Sequence, residues 1–159
     1  MWRDCLERAA AQRAALDWTL EALDRERTGR PQLILPRLGQ ASFRLAVLEA
    51  YGQQCAITTE HSLPVIDAAH IRPWAAGGAH AVPNGLPLRR DLHRLFDLGY
   101  VTVRPDLRFA VSRELRDDYA NGRVYYELDG RQIQLPAEPA AQPDPELLTW
   151  HEATLYRST

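Results

Sequence analysis

The chain has 159 residues, of which 45% are hydrophobic and 25% charged, and its formal charge is −2. That length and balance suit one water-soluble domain with a real core. They exclude a membrane span, since no apolar run approaches the ~18 residues one needs. They also exclude a disulfide framework, since only Cys5 and Cys55 are available and their contexts differ.

The first segment, MWRDCLERAAAQR, has no apolar stretch followed by a cleavage site, so no signal peptide is expected and a cytoplasmic location is the default. Residues 2–27 are predicted to form one long helix without internal Gly or Pro. Trp2, Leu6, Ala9, Leu16, Leu20 and Leu23 make a heptad-like stripe broken by Arg13. Such a stripe serves packing on the same chain or a homodimer, and residues 1–30 are treated as a separate element from 31–159.

Residues 31–39 (PQLILPRLG) read as an extended connector between prolines. A second helix is predicted over Gln40–Tyr51, with Phe43, Leu45, Val47, Leu48 and Tyr51 as its apolar face and Gly52 past its end. Leu63–Ile71 reads as extended, followed by a loop with Gly77-Gly78, an Asn84-Gly85 pair and a short helix in DLHRLFD. Tyr100–Val103 and Leu107–Val111 are predicted as a hairpin, and Ser112 as the cap of a helix over Glu114–Asp118. Val124–Leu128 and Gln132–Leu135, joined by Asp129-Gly130, are predicted as a second hairpin. A Pro-rich connector follows, and Asp144-Pro145 opens a final helix to about Arg157. The fold class is α+β.

Charge is unevenly spread. His70 to Arg116 holds eight arginines against four acids, whereas Asp117 to Thr159 holds three against eight. A basic middle beside an acidic tail suits a protein that meets phosphate with one face, although a mixed surface has the same composition. Every basic residue is arginine, a good bidentate phosphate ligand.

Four of the five histidines lie between Cys55 and Val103. His70 ends an apolar strand. His93 and Asp97 are four apart on a helix, so they share a face and can chelate one ion or form a His–Asp pair. His61 and His80 fall in polar loops and read as surface residues; His151 reads as structural. Trp74 could stack on a base, but packing over the finger is the stronger reading.

Together, Cys55-Ala-Ile-Thr, Ala69-His-Ile-Arg-Pro, Asn84-Gly-Leu-Pro-Leu and Leu92-His-Arg-Leu-Phe-Asp resemble the HNH nucleases, in a subgroup of bacterial enzymes some of which carry DNA-sensing domains. The resemblance implies a ββα-metal finger with flanking helices and C-terminal hairpins. It implies a DNA endonuclease with His70 as general base, Asn84 holding the loop and orienting His70, and His93 and Asp97 gripping a divalent ion (Mg, Mn, Ni or Zn). Catalytic roles would fall to His70, Asn84 and His93. Arg72, Arg89, Arg90 and Arg94 are phosphate-gripping candidates as a group.

Two departures from the family pattern stand out. The structural zinc held by two cysteine pairs should be absent, because Thr58, Arg89 and Leu92 occupy its other positions, so Cys55, Trp74, Leu92 and Phe96 should form core instead. The residue before the base, commonly a metal ligand, is Ala69. Asp67 could replace it only if the strand bends, because alternation sends it to the opposite face from His70. The competing reading is a non-catalytic HNH-fold module that binds DNA.

Overall fold

A computed structural model describes residues 38–158. The chain divides into residues 1–36 and residues 37–159, and the second unit is the one described. The predicted N-terminal helix, its homodimer and the connector up to Arg37 lie outside the described residues.

Helix α1 (Leu38–Ala50) leads into a turn at Gly52, and strands β1 (Ile66–His70) and β2 (Gly85–Arg89) follow. They pair antiparallel from Ile66 opposite Arg89 to His70 opposite Gly85. Helix α2 (Arg90–Asp97) starts directly after β2. This is a ββα unit, with α1 packed on both strands. Phe43, Val47, Leu48 and Tyr51 are buried as the helical period predicts, but Leu45 is 56% exposed because it falls outside the stripe facing the ribbon. Gly85 permits this packing: a Cβ there would lie 2.4 Å from Val47 Cγ2.

Pro87 sits mid-strand without disrupting pairing, since a two-stranded ribbon has free edges. Its carbonyl accepts the Ala56 N–H at 2.8 Å, which ties the Cys55-Ala-Ile-Thr entry to β2. Cys55, Leu92 and Phe96 are core residues at 0%, 0% and 1% exposure. Trp74 departs from the expectation of core packing. It is 65% exposed, held on a short 3-10 turn (Trp74–Ala76) above the loop.

Strands β3 (Val101–Val103) and β4 (Phe109–Val111) form the first predicted hairpin. Helix α3 (Glu114–Tyr119) follows, with the Ser112 hydroxyl accepting the Glu114 N–H. The second predicted hairpin does not form. Arg123–Tyr126 is a helical turn, α4, and residues 130–133 run beside β4 instead. There Phe109 N–H donates to Arg131 O, Gly130 N–H to Phe109 O and Ile133 N–H to Leu107 O. The open edge of β4 offered unpaired backbone groups, and they captured the segment. The Tyr126 hydroxyl meanwhile donates to Ser112 O, which draws α4 away from any strand pairing.

Helix α5 (Pro145–Thr154) is capped by Asp144, whose side chain accepts the Glu146 N–H at 2.8 Å. It delivers His151 into the core at 0% exposure. The ring stacks on Phe96 at 3.7 Å. Its Nε2–H donates to Phe96 O, which fixes the tautomer, and Nδ1 accepts from the Thr102 hydroxyl. One imidazole thus ties α5 to α2 and β3.

Burial pushes the His151 pKa from 6.5 down to about 4. The unfolded chain therefore binds a proton that the folded chain refuses between those values, and stability falls as pH drops through that window. The loss should approach about 3 kcal/mol at the acid end. Urea midpoints measured at pH 7.5 and pH 4.5 should fall less for His151→Gln than for the parent chain. An equal fall in both would exclude His151 as the cause.

Candidate active site

His70 ends β1, and its ring stacks face to face on Phe43 of α1, with centroids 4.0 Å apart. This contact fixes the ring plane. His70 lines an open cavity of about 630 Å³ together with Arg44, Asp67, Trp74, His93 and Asp97. Burial lowers its pKa below the ordinary imidazole value, and nearby His80 and His93 lower it further. The neutral form, which is the form able to accept a proton, is therefore favoured at pH 7.

Asn84 is 2% exposed, on a 3-10 turn (Val82–Asn84) before β2. Its Oδ1 accepts the Arg72 N–H at 2.9 Å, and its Nδ2 donates to Arg72 O at 3.0 Å and Ala79 O at 2.8 Å. Its carbonyl accepts the Ile71 N–H at 2.9 Å. No hydrogen bond joins Asn84 to the His70 side chain among the described residues. Asn84 acts on the backbone directly after His70 and closes the Gly77-Gly78 loop. That closure needs a glycine at position 78, where a Cβ would lie 1.8 Å from Arg72 O.

His93 and Asp97 face the cavity from consecutive turns of α2, with Nε2 and Oδ2 3.4 Å apart. Burial, and to a smaller degree Asp67, raise the Asp97 pKa; His93 and Arg94 act against that. A partly desolvated carboxylate beside a second carboxylate is a place that a cation would relieve. Two histidines and two carboxylates lining one cavity thus fit a divalent ion bound through His93 and Asp97 with water. Among the described residues, no three His, Cys, Asp or Glu side chains come close enough together to hold an ion.

Ala69 is fully buried in the core, opposite Leu86. Asp67 reaches the same cavity as His70 despite strand alternation. A two-stranded ribbon is narrow and strongly twisted, so its free edge is reached from both faces. Asp67 is engaged there: its Oδ1 lies 3.4 Å from Arg44 Nε and accepts the Ala68 N–H.

The arginines differ in their engagements. Arg72 Nε donates to Ala76 O at 2.7 Å, and its guanidinium lies 5.3 Å from the centre of the Trp150 ring. Arg89 makes a bidentate pair with Asp91, at 2.9 and 2.6 Å. Arg90 and Arg94 are exposed on α2.

Three residues of the site escaped the sequence reading. His80, read as a surface residue, has its Nδ1 3.0 Å from His70 Nε2 and its ring stacked on Trp74 at 4.6 Å. Phe43 and Arg44 come from α1, and Arg44 also donates to Ile66 O. Helical periodicity marks Phe43 as core and leaves Arg44 as surface. Neither residue carries a signal of what lies opposite.

Residues 55–104 match the family model described as HNH endonuclease. No curated protein matches the chain. Among solved structures, a chain titled "Modification dependent TagI restriction endonuclease" is similar at 20% identity and a TM-score of 0.49, over 74% of this chain. This chain spans 38% of that one. No helix among the described residues is long and apolar enough to cross a membrane. The matched residues span the ββα unit that carries His70, Asn84, His93 and Asp97: over residues 55–104 this chain is similar to the HNH endonuclease family.

Proposed function

We propose that the protein hydrolyses DNA phosphodiester bonds in a reaction that depends on a divalent metal ion. The observation that carries this reading is the single cavity shared by His70, His93 and Asp97. A neutral imidazole and a candidate ion-binding pair line the same cavity. His70 takes the proton of a water as its oxygen attacks phosphorus, while the bond to the leaving oxygen breaks and that oxygen is protonated from solvent. An ion held by His93 and Asp97 would supply charge to the phosphate and to the leaving oxygen. Mg, Mn, Ni and Zn all accept such a donor set.

Asn84 supports the reaction by holding the backbone that follows His70. Arg94 and Arg90 meet the DNA backbone in this reading, which their exposure on the helix that carries His93 supports. Arg72 contributes positive field from within its existing contacts, whereas Asp91 offsets the charge of Arg89.

Incubating supercoiled plasmid with the protein and each of the four ions tests the reading. Nicked or linear product with at least one ion is expected, and none with EDTA. No cleavage with any ion, at protein in excess over DNA, would sink it. DNA binding without metal that survives His93→Ala, in the same absence of cleavage, would favour the non-catalytic module whose position 69 is alanine.

A further inference from the structure

We propose that His80 is a positioning residue for the base: His70 Nε2–H donates to His80 Nδ1, and this leaves His70 Nδ1 free to take the proton from water. The assignment rests on the nuclease reading above.

The two rings meet nitrogen to nitrogen at 3.0 Å, so one nitrogen carries a proton and the other does not. Only two neutral arrangements satisfy the contact. In the first, both rings are Nε2–H tautomers, the form imidazole side chains prefer in water. His70 donates, and its Nδ1 keeps a lone pair. In the second, both rings are Nδ1–H tautomers. His80 then donates, and His70 has no lone pair left for a water. Intrinsic tautomer preference thus selects the arrangement that makes His70 a base. Among the described residues no hydrogen bond reaches His70 Nδ1.

The surroundings hold both rings in place. His70 lies flat on Phe43, with 11° between the planes. His80 lies flat on Trp74, at 9°, and meets His70 edge-on at 64°. A Cβ at Gly39 would come within 3.1 Å of His80 Cδ2, so the start of α1 closes the remaining side. Trp74 thereby gains a role its exposure leaves unexplained: it is the shelf for the ring that orients the base. The logic matches that of any catalytic imidazole whose far nitrogen is bonded to a fixed acceptor, which sets the tautomer and steadies the imidazolium as it forms.

Two substitutions separate the acceptor from the stack. His80→Asn keeps an oxygen acceptor near the Nδ1 position but removes the ring. His80→Phe keeps a ring on Trp74 but removes the acceptor. For plasmid or oligonucleotide cleavage, His80→Phe should lower kcat by about 10- to 100-fold with KM nearly unchanged, and His80→Asn should recover most of that loss. Long-range 1H–15N spectra of the metal-free, DNA-free full chain should show the His70 proton on Nε2 in the parent and in His80→Asn. In His80→Phe, part of it should move to Nδ1. Three results would overturn the proposal: full activity in His80→Phe, equal losses in both variants, or a parent His70 proton on Nδ1. The spectra need neither metal nor substrate. If the parent chain cleaves no DNA, the nuclease reading fails on its own evidence, the positioning role falls with it, and the hydrogen-bond assignment is judged by the spectra alone.

Discussion

His70→Ala should lower DNA cleavage by about three orders of magnitude, within the range that a positioned general base supplies. The loss should appear in kcat, because His70 is proposed to act on a water and not to hold the DNA. The variant should still fold. His70 sits at the end of β1 and is only partly buried, and what it loses is a ring stack with Phe43, worth about 1 kcal/mol, and a hydrogen bond with His80, worth about 1 kcal/mol more. His93→Ala should fail differently. It removes one of two protein donors to the proposed ion, so its activity should return in part as metal concentration rises, whereas that of His70→Ala should not. Titrating Mn or Mg against both variants makes the comparison. Parent-level cleavage by His70→Ala would remove the base assignment. Equal rescue of both variants by metal would merge two roles that the geometry keeps apart.

Asn84→Asp should be the most damaging near-isosteric change in the domain. The Asn84 amide nitrogen donates to two carbonyl oxygens, Arg72 O and Ala79 O, at a site 2% exposed. A carboxylate would set lone pairs against both and bury an unpaired charge. The cost at neutral pH should be roughly 4 kcal/mol, with Asn84→Ala nearer 3 kcal/mol from the three lost hydrogen bonds.

The pH dependence separates these causes. The introduced acid would have a folded pKa above its unfolded value, so the folded state binds the extra proton. Its destabilisation is full at high pH and eases as pH falls through that raised pKa. The gap in urea midpoint between Asn84→Asp and the parent chain should therefore narrow from pH 7.5 to pH 5, while the Asn84→Ala gap should not. The decline caused by His151 is common to all three chains and cancels. A constant Asn84→Asp gap would mean that the charge is solvated and the loop already open.

Much of the domain was legible because its signals are local. The α1 stripe, the Asp144-Pro145 start and the β3–β4 hairpin each rest on residues a few positions apart, where period and capping dominate. The pair His93 and Asp97 shares a face on helical arithmetic alone. The second hairpin failed for the opposite reason. Asp129-Gly130 is a favoured hairpin pair, but a nearby sheet edge competed for the same strand and won. Trp74 failed likewise: its size suggests burial, yet its partner is one imidazole at the rim of the cavity.

By itself, the sequence determined the order of the chemistry: an imidazole at a strand end, a loop-closing amide fourteen residues on, and a His–Asp pair one helix later. It also marked Cys55 as a core residue, since Thr58, Arg89 and Leu92 stand at the neighbouring motif positions, and Cys55 is fully buried. Tertiary structure alone decided which side chains complete the site. His80 is ten residues from His70, Phe43 is twenty-seven before His70, and Arg44 is twenty-three before Asp67; no backbone period relates such positions. They meet because α1 packs across the β1–β2 ribbon and because Asn84 folds the intervening loop back onto Arg72. Contacts of that kind depend on packing and loop closure, which a one-dimensional pattern does not encode.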